Sequence, residues 1–193
     1  GLLPGEFGKH MKFSLQLRGS GTQFQHWPGK VYLQCNRCEL SAINRNIKKN
    51  SPWRIKGGHI NYEIWGRWDG NQLTMAEGSI RLHTPQLAIS GNPFLNQFET
   101  QFAWRTVNDQ WDLLLENLSL NMYGKAWPAT KILIKNTGPY AHLSTNFLRL
   151  EDLSNLFINL PLLDKDKQDL LAGLQLMGEM HDTELVINLN NSK

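Results

Sequence analysis

The chain has 193 residues, 40% of them apolar and 10% aromatic, enough for one domain with a sizeable core. Twenty Lys and Arg against seventeen Asp and Glu leave a net charge of +3. These basic residues are scattered rather than clustered, which argues against nucleic acid as a partner, and no apolar run approaches the roughly 18 residues of a membrane-spanning helix.

Alternation with a period of two runs through most of the sequence. Phe13, Leu15 and Leu17 share one parity and open the first predicted strand, which follows Leu2-Leu3-Pro4-Gly5. Beginning on Gly and without a recognisable signal peptide, the chain reads as a piece of a longer protein whose targeting segment lies elsewhere. A loop-rich stretch from Gly19 ends in Trp27-Pro28-Gly29, good turn chemistry, and Lys30–Gln34 is a second strand.

Cys35-Asn36-Arg37-Cys38 follows. Zinc would require two further ligands at suitable spacing, and none is present; a thioredoxin-like motif would require a strand-to-helix turn, and the surroundings do not read that way. What remains is a tight turn at Asn36-Arg37 that brings the sulfurs close, as structural thiols or as a local disulfide. No metal or cofactor is expected.

Residues 41–52 read as a loop, and Trp53 to Asp69 as a strand broken at Gly57-Gly58. Ile60, Tyr62 and Ile64 share one parity, whereas Trp65 has the other and points to solvent. Asp69-Gly70-Asn71 is a hairpin turn. Leu73 to Leu82, with Ile80 and Leu82 on one face, and Gln86 to Ser90 are two strands split by Pro85; Gly91-Asn92-Pro93 is the next turn. Strands 98–107 and 111–123 form a hairpin through Asn108-Asp109-Gln110. Phe98, Phe102 and Trp104 alternate in the first, and Leu113 and Leu115, then Leu118, Leu120 and Met122, in the second. The switch of parity between Leu115 and Leu118 calls for a bulge, a bend or burial on both faces. Ile132 and Ile134 mark a strand at Lys131–Lys135, and 141–148 is another.

At residue 150 the period changes. Leu153, Leu156, Phe157 and Leu160 fall at helical spacing up to Pro161. Asp164 caps a second helix carrying Leu170, Leu171, Leu174 and Met177, and Gly178 ends it. Leu185, Ile187 and Leu189 form the closing strand. The expected organisation is therefore mainly β: an antiparallel sheet over 1–149, a helical pair over 150–178 packing on it, and a closing strand over 179–193. The phrase Leu2-Leu3-Pro4-Gly5-Glu6 has a counterpart in Leu174-Gln175-Leu176-Met177-Gly178-Glu179, as a repeating array would produce.

Catalytic signatures do not emerge. His10, His26, His59, His83, His142 and His181 form no HExxH or HxH arrangement, and GxSxG, P-loop and GxGxxG patterns are missing. Glu151-Asp152 and Asp164-Asp166 suit helix starts, where acids cap and favour the macrodipole. The chain reads as a non-enzyme. Trp65 and Trp68 suggest a sugar-stacking platform as one alternative, whereas Trp104 and Trp111 follow the apolar parity of a core and Trp27 and Trp127 precede prolines as packed turn anchors.

The phrase Trp111 to Pro128 (WDLLLENLSLNMYGKAWP) resembles a recurring strand followed by a Trp-Pro turn in AsmA-like, YhdP-type proteins. Leu148 to Leu163 is similar to the helical insert of that family, and Asp169 to Leu189 to its helix-glycine-strand exit. The resemblance covers 98–189 best. It implies a fragment of a large, TamB-related protein of Gram-negative bacteria, anchored in the inner membrane by a segment outside this chain and spanning the periplasm. Its architecture would be a long curved antiparallel sheet folded into a taco-like groove of repeating units, as in bridge-like lipid-transfer proteins. The implied function is shelter of phospholipid acyl chains in transit between inner and outer membranes, with phospholipid and neighbouring repeats of the same protein as partners. In that setting Cys35 and Cys38 make sense as a disulfide of the oxidising periplasm.

Each exposed CH₂ of an acyl chain costs about 0.8 kcal/mol, so an apolar lining alone would serve. Alternation places the lining at Phe13, Leu15, Leu17, Ile60, Tyr62, Ile64, Ile80, Leu82, Phe102, Trp104, Leu113, Leu115, Leu118, Leu120, Ile132 and Ile134. The competing expectation is a closed β-sandwich core, or a non-catalytic scaffold that binds a glycan or an envelope protein.

Overall fold

The computed structural model describes residues 10–20, 22, 27–41, 55–70, 72–87, 95–159 and 165–188. Ten strands and two helices occur among them: β1 (His10–Leu17), β2 (Gly29–Glu39), β3 (Ile55–Asp69), β4 (Gln72–Leu87), β5 (Leu95–Val107), β6 (Gln110–Met122), β7 (Lys125–Ala126), β8 (Thr130–Asn136), β9 (Tyr140–Arg149), α1 (Leu150–Asn159), α2 (Lys165–Leu174) and β10 (Glu179–Asn188). All strands belong to one open antiparallel sheet in the order β1-β2-β3-β4-β5-β6-β8-β9-β10, with β7 paired to β6. Apart from β7, each strand on this path lies beside the strand that precedes it, the meander that consecutive amphipathic strands favour.

The turns follow from backbone chemistry. Asn108 and Asp109 both adopt positive φ, 51° and 62°, between the paired Val107 and Gln110, as a two-residue hairpin with the sheet's own twist requires. Tyr123 and Gly124 do the same before β7, a two-residue strand that the alternation does not mark.

Bulges adjust the long strands at several points, three of them where the sequence showed a break in its pattern. Leu115 pairs with Ile132 and Leu118 with Thr130, so one residue is extra on β6; Asn117 turns there at φ 51°. The parity switch is thus a bulge, and it returns Leu118 and Leu120 to the face that Leu113 and Leu115 occupy. Pro85 does not split its segment. β4 runs through it by way of a bulge at Thr84, φ 42°, since a proline without an N–H fits where the ladder is already interrupted. Likewise β2 does not stop at Gln34. It continues through both cysteines, and Asn36-Arg37 is a bulge inside the strand rather than a turn between strands, with Arg37 at φ 57°.

Among the described residues the buried hydrophobic side chains are Cys35, Cys38, Leu40, Leu118, Met122, Trp127, Phe147 and Leu148. They lie toward the end of the sheet where β2, β6 and β9 finish and β8 begins. The helical insert joins the sheet at that same end. Trp127 donates from Nε1 to Asp152 Oδ2 at 2.6 Å and packs edge-on against Phe147, and Leu153 and Met180 pack on the same cluster. Leu150 N–H donates to Gly178 O, and Gly178 N–H to Glu151 Oε2, which ties the start of α1 to the start of β10. The predicted Gly91-Asn92-Pro93 turn, the Pro161 stop, the Asp164 cap, the opening Leu-Pro-Gly phrase and Leu189 lie outside the described residues.

Candidate functional site

Strand register decides which side chains share a face, because directly paired residues point the same way. One row across the sheet reads Phe13, Leu33, Ile64, Gly78, Phe102, Leu115 and Ile132. The next reads Leu15, Val31, Gly66, Ala76, Trp104, Leu113, Ile134, Leu143 and Leu185. Toward the helical end the rows contain Met11, Cys35, Tyr62 and Ile80, then Cys38, Ile60, Leu82, Phe98 and Leu120. Leu17 and Leu118 extend this set at its two ends. All sixteen residues selected by alternation therefore lie on one face.

That face is not sealed. Of the sixteen only Leu118 is buried, whereas Phe13 is 58% and Leu15 47% exposed, and most of the others are half-buried. A sandwich core would leave such side chains a few per cent exposed. Two glycines keep the floor low: a Cβ on Gly78 would sit 1.9 Å from Glu63 O, and one on Gly66 would sit 2.9 Å from Val31 Cγ1. Beyond the sixteen, Val31, Leu33, Phe98, Leu143 and Leu185 also belong to the face. Their own parity in the sequence was the available signal.

The opposite face is mainly polar, with Trp65, Ala103, Leu114 and Leu133 as an apolar row across its middle. Tyr32 donates to Glu63 Oε1 at 2.7 Å, Arg81 pairs with Glu99, and Lys131 lies 3.1 Å from Glu116. The Arg81 guanidinium, hydrogen-bonded to Glu99, holds that carboxyl below its ordinary range. Trp65 stands on this face, 42% exposed and tilted against Tyr32. Trp68 falls on the apolar face, where it packs over Gly29 and donates from Nε1 to Trp27 O at 2.9 Å. The two indoles thus point to opposite sides of β3 and do not form one stacking platform.

Cys35 and Cys38 form a disulfide, with their Cα atoms 6.0 Å apart. It clamps the bulge of β2, and Arg37 N–H within that bulge donates to Asn61 Oδ1 at 2.6 Å. Trp127 is a packed anchor beside its proline, and Asp152 is its acceptor rather than only a helix-start acid. Among the described residues, no group of three or more His, Cys, Asp and Glu could hold a metal ion, and no helix is long and apolar enough to cross a membrane.

A family model described as YhdP protein matches residues 2–193. No curated protein and no solved structure matches the chain.

Proposed function

Because this chain belongs to the YhdP family, we propose that it is a segment of an envelope-spanning protein whose apolar sheet face shelters phospholipid acyl chains on their way between inner and outer membranes. One observation carries the reading: an apolar face continuous across the sheet is left half-open to solvent instead of being closed into a core. A strand row repeats its side chains about every 4.8 Å, so the sheet path of nine strands offers about 40 Å of lining. Acyl chains laid along it escape water at about 0.8 kcal/mol per CH₂, with no cofactor and no covalent chemistry. Neighbouring repeats would continue the lining at β1 and β10, which stand at the two edges of the sheet. The periplasm and an inner-membrane anchor outside this chain complete the setting, and the Cys35–Cys38 disulfide suits an oxidising compartment.

Native mass spectrometry of the purified chain, with extraction and identification of bound lipid, tests the reading. Stoichiometric phospholipid is the expected result. A chain that stays free of lipid after incubation with phospholipid vesicles would transfer the weight to a scaffold that binds protein through the same face.

A further inference from the structure

The two ends of the strands differ. At one end three of the four connections are short: two residues separate the paired Asp69 and Gln72, two separate Val107 and Gln110, and four separate Asn136 and Ala141, whereas eleven separate Leu17 and Gly29. The other end carries the disulfide, Trp127 and the helical insert.

One or two pairs inside these turns, the polar face carries a row rich in cations. Lys30 pairs with Arg67, Arg67 with Met75, Met75 with Arg105, Arg105 with Asp112, and Asp112 with Lys135. Arg18 continues this end of the sheet, its N–H donating to Pro28 O at 3.0 Å. All five cations are exposed, and no ion pair among the described residues engages any of them. The acids at this end are Asp112 in the row and Asp69 and Asp109 at the turns, three carboxylates against five cations. By contrast, Arg81, Lys131 and Arg149 have carboxylate partners. On the apolar side of the same end stand the indoles of Trp68 and Trp111.

Passing over this rim, the order is aliphatic floor, then indole, then unpaired cation. A membrane interface has the same sequence, with acyl chains, an aromatic belt and phosphates attended by Lys and Arg. The geometry points to the short-turn edge as the headgroup rim, where Arg18, Lys30, Arg67, Arg105 and Lys135 meet the phosphodiester anions of lipids whose chains lie on the apolar face. Arg and Lys stems are long enough to bend around a strand end while their heads stay wet, and guanidinium groups match phosphate oxygens in pairs. Cations on adjacent strands recur about every 5 Å and on alternate strands about every 10 Å, so a lipid lying between β1 and β8 meets one or two, whereas β9 and β10 carry His142 and Val186 in this row. This inference rests on the proposed lipid-sheltering function.

The test compares two lipids with identical acyl chains, phosphatidylglycerol in vesicles and diacylglycerol in emulsion. A photo-crosslinking residue at Leu113 of this chain reports their arrival on the apolar face. The variant Lys30→Gln/Arg67→Gln/Arg105→Gln alters only exposed side chains of the polar face. It is expected to crosslink phosphatidylglycerol about tenfold less than the unaltered chain and diacylglycerol equally well, and added salt should reproduce the loss. Equal crosslinking of phosphatidylglycerol by both chains, or equal losses for both lipids, would overturn the rim while leaving the groove standing. Loss of inorganic phosphate binding by the variant, read from phosphorus resonance broadening, with lipid uptake unchanged would make the row a free-anion site and equally overturn it. An unaltered chain that crosslinks neither lipid would bring down the groove reading and the rim together.

Discussion

The indole N–H of Trp127 donates to the carboxylate of Asp152 at 2.6 Å, with both residues buried, and this bond fastens the first turn of α1 to the end of the sheet. Arg149 stands 3.4 Å from the same carboxylate oxygen and 3.0 Å from Glu179, so one acid serves the turn after β7, the end of β9 and, through Arg149, the start of β10. Replacing Asp152 by Ala leaves a buried N–H without an acceptor, at a cost of about 1 to 3 kcal/mol. The expected outcome is faster hydrogen exchange across Leu150–Asn159 while the β3–β4 amides keep their protection. Uniform loss of protection would show that the insert and the sheet unfold as one unit.

The disulfide closes a very short loop inside a strand, so the constraint it places on the unfolded chain is worth about 2 kcal/mol. Cys35→Ser/Cys38→Ser should lower the urea midpoint by a corresponding amount, with the extra exchange confined to the distal half of β2 and the facing residues of β3. An unchanged midpoint would mean that the bulge holds its shape through Arg37 and Asn61 alone.

Gly78 has the backbone of β3 against it, since a Cβ there would lie 1.9 Å from Glu63 O. Gly78→Ala should destabilise the sheet by about 1 to 3 kcal/mol, the usual cost of forcing atoms into a packed position. Denaturant titration of the variant measures it, and a neutral result would show that β3 and β4 separate there without penalty.

Much of this architecture is legible in the sequence. Alternation alone assigned sixteen side chains to one face, because strand geometry has a period of two and the apolar positions obey it. The parity switch between Leu115 and Leu118 was equally readable as a bulge, bend or two-sided burial, and register decided for the bulge. Pro85 and Asn36-Arg37 misled for a shared reason: the residues that end a strand are also those that a bulge inside it accepts. The bond from Trp127 to Asp152 spans 25 residues and has no local signature, so no window of sequence contains it. The row of unpaired cations was hidden similarly, since its members are brought together only by cross-strand register.

Glu151 supplies a pH dependence of definite sign. Its own backbone N–H holds the carboxyl below the ordinary 4.5 against the opposing effect of desolvation, helped by the Gly178 N–H and by the charges of Lys125 and Arg149. A carboxyl depressed in the folded state stabilises it above the unfolded value and loses that contribution as pH falls through the folded one. The difference in thermal midpoint between the unaltered chain and Glu151→Gln should therefore be full above the ordinary carboxyl value and close as pH falls below it through the depressed folded one. A difference independent of pH would mean that the carboxylate's charge plays no part in holding α1 to Gly178.

Leu113 and Leu114 are neighbours in β6 that point to opposite faces, Leu113 paired with Trp104 and Leu114 with Ala103. A photo-crosslinking residue placed at each in turn, in chains incubated with phospholipid vesicles, asks the central question with everything but the face held constant. The account predicts lipid adducts from position 113 and few or none from 114. Equal labelling from both positions, or none from 113, would contradict an apolar face that shelters acyl chains.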